Sequence, residues 1–260
     1  MELGLQGKIA LVTGASGGIG SAIAIGLARE GCDVALTGRD AARLEEAAAV
    51  IKALGRRALV HTADLCQADA AAGFIAAGLK AFGRIDIVAH SAGATKRGDF
   101  LQLTDQDFVA GFALKFMAAV RITRAAWPHL VQSKGTIVNI IGAGGRYPKP
   151  DFTIGGSVNA ALMNFTKAMA KRGVKEGVRV TGINPGDIET DRLKVRVANL
   201  MRDRNVDEQA ARDLILLDRG IFRFGRPDEV AQLVCYLASS PAGFLQGTVV
   251  EMTGGAGNAL

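Results

Sequence analysis

The stretch Thr13-Gly14-Ala15-Ser16-Gly17-Gly18-Ile19-Gly20 carries the residue types that hold a phosphate. Without a Cβ, glycine takes backbone angles closed to other residues and lets an anion approach the main chain. An apolar run, Ile9-Ala10-Leu11-Val12, precedes the stretch, and Ala22, Ile23 and Leu27 follow it at helical spacing. The order is therefore strand, glycine turn, helix. Such a helix aims free N–H groups and its positive dipole end at a bound anion. A glycine cluster by itself says little; in this context it points to a dinucleotide.

The elements that must position this turn recur along the chain. Strand patterns are expected at Asp33–Arg39, Ala58–Ala63, Ile85–His90, Gly135–Ile141, Val178–Ile183 and Thr248–Met252. Helical periodicity separates them. It runs from Ala41 to about Leu54, through Phe74, Ile75 and Leu79, from Asp105 to about Leu130, and through Val158, Leu162, Phe165 and Met169. Pro227-Asp228-Glu229 is a helix start. Strands alternating with helices predict an α/β fold, a doubly wound parallel sheet of about seven strands with helices on both faces. Ligand then belongs at the carboxyl ends of the strands, near the topological switch point. No composition break divides the chain, so residues 1–260 are expected to form a single domain. The charge-rich region 190–218 is expected as one or two mobile helices.

Composition narrows the function classes. The net charge of +6 is scattered, with no dense basic block interleaved with aromatics, so no nucleic acid is expected. A modest positive field favours an anionic ligand. No apolar run approaches the ~20 residues that span a bilayer, and Met1-Glu2-Leu3-Gly4 does not open like a signal peptide. No membrane partner and cytoplasmic residence are expected. Cys32, Cys66 and Cys235 are isolated, which argues against a disulfide framework or a metal site. Trp127 is expected in the core, and His61 and His129 to be structural.

Taken together, the motifs resemble those of the short-chain dehydrogenase/reductase family across nearly the whole chain. They are Thr13-Gly14-x-x-x-Gly18-x-Gly20, Asp64-Leu65, Ser91-Ala92-Gly93, Ile137-Val138-Asn139-Ile140, Asn184-Pro185-Gly186 with Thr190, Arg223-Phe224-Gly225-Arg226-Pro227 and Gly254-Gly255. The resemblance implies a single Rossmann-type domain over residues 1–260 with 190–218 as a lid over substrate, an oxidoreductase using NAD(H) or NADP(H), a small-molecule substrate and a homo-oligomer, dimer or tetramer. It assigns cofactor contacts to Gly14, Ser16, Gly18, Ile19, Gly20, Asp64, Leu65, His90, Ala92, Gly93, Pro185, Gly186, Ile188 and Thr190. Asp64 would accept a bond from the adenine amino group, or else cap a helix. His90 would line the nicotinamide pocket or be a satisfied buried imidazole. The position about 20 residues beyond the glycine loop, where a carboxylate would hold the adenosine ribose, is Arg39. A guanidinium pairs with a 2′-phosphate and offers no acceptor to a bare ribose. NADP(H) is therefore favoured over NAD(H).

The family's chemistry uses a Tyr-x-x-x-Lys pair, a serine 13 residues upstream of the tyrosine and an asparagine on the preceding long helix. Aligned through Ile137–Ile140 and Ala160-Ala161-Leu162, these positions are Gly155, Asn159, Gly142 and Lys115. The chain has two tyrosines, Tyr147 and Tyr236, and neither begins a Tyr-x-x-x-Lys. Gly155-Gly156 weakens a helix by about 1 kcal/mol per glycine and is expected to leave empty room. Lys115 and Tyr147 are the candidate catalytic residues. A desolvated lysine drops its pKa towards the working range, and the phenol of Tyr147 would swing into the gap at Gly155. Arg146 and Lys149, and Arg192, Lys194 and Arg196 in the lid, are candidates for holding a carboxylate, phosphate or thioester-linked carrier, or are surface charges. Three readings follow: an atypical reductase, a dinucleotide-binding protein or subunit without turnover, and a non-redox lyase or hydratase with Lys115 as base.

Overall fold

The computed structural model describes residues 2–256. Seven strands form one parallel sheet: β1 (Ile9–Thr13), β2 (Asp33–Gly38), β3 (Ala58–Thr62), β4 (Ile87–His90), β5 (Thr136–Ile140), β6 (Arg179–Pro185) and β7 (Val249–Met252). Their spatial order is β3-β2-β1-β4-β5-β6-β7. The order reverses between β1 and β4, which pair directly, Thr13 beside His90. That crevice is where a doubly wound sheet takes its ligand.

The strands are apolar on both faces because helices cover both. Val12, Leu36, Ala89, Val138 and Ile183 face one layer, built from α1 (Gly18–Arg29), α2 (Ala41–Ala53) and α9 (Pro227–Ala238). The intervening residues Leu11, Ala35, Val88, Ile137 and Val180 face the other. That layer contains α3 (Ala70–Phe82), α5 (Ala118–Ser133) and α6 (Thr153–Glu176), with Phe74, Ile122 and Trp127 in the core. This two-residue alternation is the pleat of each strand expressed in packing. His61 lies against Phe74, ring centroids 5.8 Å apart. Among the described residues no group of side chains is arranged to hold a metal, and no helix is long and apolar enough to cross a membrane.

One element differs from the sequence expectation. The long helix begins as α4 (Asp105–Gly111), continues as a π-helical stretch over Phe112–Met117, and becomes α5. The wider turn carries Lys115, and such stretches recur at functional sites. The helix then passes Pro128 and ends at Ser133, beyond Leu130. Residues 190–218 hold two helices, α7 (Asp191–Arg204) and α8 (Glu208–Arg219), with their own small core of Leu193, Val197, Ala211 and Ile215.

Candidate active site

One cavity of about 950 Å³ opens along the carboxyl ends of the strands. Its floor is the glycine turn. Thr13 Oγ1 accepts the N–H groups of Ser91 and Ala92, both at 3.1 Å, and so locks the end of β1 to the turn after β4. Gly14 sits against that turn with φ +66°; a Cβ there would lie 2.7 Å from the Ala92 nitrogen. A Cβ on Gly20 would lie 2.2 Å from the Gly14 carbonyl oxygen. Gly17 caps α1 without a side-chain hydrogen bond, so no side chain of its own claims the first N–H groups of α1. Gly18, Ile19 and Gly20 line the cavity. The construction fits a pyrophosphate at a helix N-terminus.

One end of the cavity carries two arginines, Arg39 and Arg43. Arg39 is exposed on the rim and makes no ion pair or hydrogen bond among the described residues. Arg43, one turn into α2, joins it on the cavity wall, held by Asp40 at 3.6 Å and Asp191 at 2.9 Å. Sequence spacing from the glycine loop did not single out Arg43; its place on the first turn of α2, four residues from Arg39, was the available signal. Ser16 and Leu65 line the same end. The Asp64 carboxylate is turned into its own loop, where the Cys66 N–H donates to it at 3.1 Å and holds its pKa below the usual range.

At the other end, Ala92, Gly93, Pro185, Gly186 and Thr190 line the cavity. Ile188 is buried beneath the loop and pairs with Gly225. His90 does not line this cavity. Its Nε2 lies 3.1 Å from Thr123 Oγ1 inside the core, and burial pushes the imidazole down to about 4. The neutral ring ties β4 to α5.

Gly155 does not leave empty room. The ring of Phe152 fills it: a Cβ built on Gly155 would lie 2.0 Å from Phe152 Cζ. The same ring packs on Gly144, where a Cβ would lie 2.8 Å away. Gly155-Gly156 nonetheless stays helical within α6, since the ring packs where a side chain would stand. The phenol of Tyr147 therefore has no gap to enter there. It lines the cavity from its own turn, whose backbone is fixed by the Tyr147 N–H bond to the Ala143 carbonyl at 2.9 Å. Nothing in the sequence pattern singled out Phe152.

Asn159 is 3% exposed and lines the cavity. Its Oδ1 has no hydrogen-bond partner among the described residues, an orphaned acceptor of the kind a ribose hydroxyl satisfies. Gly142, φ +129°, leaves no space for a side chain: a Cβ would lie 2.9 Å from Asn159 Nδ2. Asn184 holds this loop, accepting the Gly142 N–H at 3.3 Å and donating to Glu251 at 2.7 Å.

Lys115 lines the cavity. Its aliphatic stem packs on Gly93, where a Cβ would lie 2.8 Å from Cδ. Its Nζ donates to the carbonyl of Ile141 at the end of β5. Burial, helped by the charge of Arg192, pushes the amine down to about 7. Arg192 itself crosses from α7 to donate to the Gly93 carbonyl. Arg192 and Lys149 line the cavity. Arg146 instead turns to Glu251 at 3.6 Å, Lys194 to Asp191 at 3.4 Å and Arg196 to Asp187 at 2.9 Å.

An open parallel sheet with a glycine turn and an uncapped helix at its switch point defines a Rossmann-type dinucleotide-binding protein. The chain matches the short chain dehydrogenase family over residues 8–200 and belongs to that family. It is 34% identical over 253 residues to an uncharacterized oxidoreductase of Mycobacterium tuberculosis, covering 96% of this chain and 92% of that protein. It is 31% identical to 2-dehydro-3-deoxy-D-gluconate 5-dehydrogenase of Escherichia coli, covering 96% of each. Among solved structures, L-sorbose reductase from Gluconobacter frateurii, complexed with NADPH and L-sorbose, is similar with a TM-score of 0.96 and 30% identity over 100% of both chains. A short chain dehydrogenase from Burkholderia cenocepacia in complex with NADP has a TM-score of 0.84 and 31% identity, covering 98% of this chain and 99% of that one.

The packing at Gly155 has a direct consequence. Gly155→Tyr should not restore a phenol to the site but overpack it, lowering stability by about 1–3 kcal/mol. Thermal unfolding checks this: the loss should shrink in the double variant Gly155→Tyr/Phe152→Ala, a coupling measured by the double-mutant cycle. Additive effects would show that the ring does not hold that space.

Proposed function

We propose that this chain is an NADP(H)-dependent oxidoreductase with an atypical site, in which Lys115 carries the proton. The substrate is a carbonyl, alcohol or enone, free or as an acyl thioester. The observation that carries this is the amine of Lys115, depressed to about 7 and facing the cavity between Gly93 and Ile141. An acid–base group works best when its pKa lies near the operating pH.

The cofactor, when bound, supplies or accepts the hydride. The N–H groups of α1 hold its pyrophosphate, and Arg39 with Arg43 hold the 2′-phosphate. Asn159 Oδ1 accepts a ribose hydroxyl in place of the lysine usual there. Pro185, Gly186 and Thr190 close the nicotinamide side. Lys115 Nζ–H donates to the substrate oxygen during reduction, and the neutral amine takes that proton back during oxidation. The phenol of Tyr147 adds a second donor from the cavity wall. Residues 190–218 act as the lid, since Thr190, Asp191, Arg192 and Asp218 line the cavity. A cytoplasmic homo-oligomer, dimer or tetramer, goes with this reading: Phe100, Leu101, Val109 and Phe244 are apolar and exposed, and self-association would cover them.

The test is a screen of NADPH oxidation over ketones, enones and acyl thioesters. Turnover of at least one is expected. A second reading, cofactor binding without hydride transfer, draws on the Phe152 ring seated at Gly155. It gains the field if NADPH binds tightly and none of the panel oxidises it. Label from deuterated NADPH absent from a product would select the non-redox lyase or hydratase.

A further inference from the structure

The charges inside the cavity are unbalanced at one end. Asp40 and Asp191 face Arg43 at the adenosine end. Elsewhere Lys115, Lys149, Arg97, Arg192 and Arg219 line the wall against only Asp187 and Asp218. Two of these cations converge from distant elements. Arg219 closes α8, and its side chain is only 10% exposed. Its Nε lies 2.9 Å from Asp187 Oδ2, but Arg196 takes the other oxygen of that carboxylate at 2.9 Å. One carboxylate thus serves two guanidiniums. Asp218 is exposed and stands 3.8 Å from Arg196 and 3.9 Å from Arg219, where water screens it.

Arg97 comes from the loop after β4. It pairs with Asp151 at 2.5 Å, and its guanidinium stacks 4.3 Å over the ring of Phe152. The ring that replaces the family's phenol thus also supports a cation. Arg97 and Arg219 line the same cavity, and burial and then the charge of Arg97 lower the pKa of Arg219. Like charges held together in a half-closed cavity repel, and an oxyanion between them removes that repulsion. The planar fork of arginine suits carboxylate and phosphate.

We propose that Arg97 and Arg219 form an anion subsite for the substrate, which is a small oxo- or hydroxy-compound bearing a carboxylate or phosphate group. The word substrate rests on the oxidoreductase reading above. The subsite rests on the side chains alone.

The experiment is calorimetric titration of the full chain, saturated with NADP+ so that the cofactor's own anion sites are filled. Malonate is the probe in one arm and inorganic phosphate in the other; the tighter arm identifies the oxyanion. Arg97→Met and Arg219→Met should each weaken that binding by about 10- to 100-fold, the loss of one charge-assisted contact. NADP+ affinity should stay within about twofold. Arg97 is largely exposed, so its variant keeps the test alive if Arg219→Met fails to fold. Equal anion affinity in wild type and Arg97→Met overturns the subsite. NADPH oxidation by neutral ketones without arginine-dependent anion binding also overturns the subsite, and leaves the oxidoreductase reading standing. Arginine-dependent anion binding with no carbonyl compound of the screen reduced by NADPH, keto acids and phosphorylated ketones included, leaves the subsite and sinks that reading.

Discussion

Lys115→Met should lower turnover by about 10²- to 10⁴-fold, the range that general acid–base catalysis contributes. Methionine keeps most of the stem that packs on Gly93 and removes the amine, so cofactor affinity should change little. The pH dependence sharpens the test. Lys115 has its pKa lowered from 10.5 to about 7, first by burial and then by Arg192. A proton donor must be charged, so reduction should be fast below about 7 and fall as pH rises through it. Oxidation needs the neutral amine and should rise through the same window. The profile of kcat/KM reports the free enzyme. An anionic substrate would stabilise the ammonium, moving the inflection in kcat upward. Steady-state rates between about pH 5 and 9 on a substrate from the screen would show both limbs. A variant with full activity and an unshifted profile would remove Lys115 from the chemistry. Tyr147→Phe serves as the companion: a smaller loss is expected, because a second hydrogen-bond donor to a developing charge contributes less than the proton itself.

Arg39→Asp should reverse the choice of cofactor. Loss of one charge-assisted contact to the 2′-phosphate weakens NADPH by about 10- to 100-fold, and the new carboxylate repels that phosphate as well. The same carboxylate accepts bonds from a bare ribose, so NADH should bind more tightly. Arg43 does not compensate fully, since it is already engaged by Asp40 and Asp191. Fluorescence titration of both cofactors gives the ratio directly. An unchanged NADPH-to-NADH ratio would show that the exposed guanidinium of Arg39 takes no part in the selection.

These two predictions stand differently towards the sequence. Arg39 could be placed by counting, because it ends a strand at a fixed distance from the glycine turn. The distance is set by α1, the turn after it and β2, all close in sequence. Lys115 could be placed only by alignment along a long helix. What it does depends on the π-helical stretch that carries it and on the Ile141 carbonyl from another element. Gly155 was read as a vacancy. Its occupant, Phe152, lies three residues away, but the loop that folds the ring back is decided by Gly144 and by Arg97 above it. The charged candidates were visible as residue types. Which of them line the cavity was not: Arg97 and Arg219 do, whereas Arg146, Lys194 and Arg196 do not and pair with Glu251, Asp191 and Asp187.

The sequence by itself determined the strands, the helices between them and the glycine turn at Thr13–Gly20. Each is a short-range consequence of apolar period, helix start signals and residues without a Cβ. It also determined that no Tyr-x-x-x-Lys stands on α6. The tertiary structure decided the packing around that position: a phenylalanine ring over Gly155, an amine buried against Ile141, and Arg97 and Arg219 lining one cavity. Packing sets the burial, and burial lowers the pKa of both Lys115 and Arg219. Neither quantity exists until the elements meet.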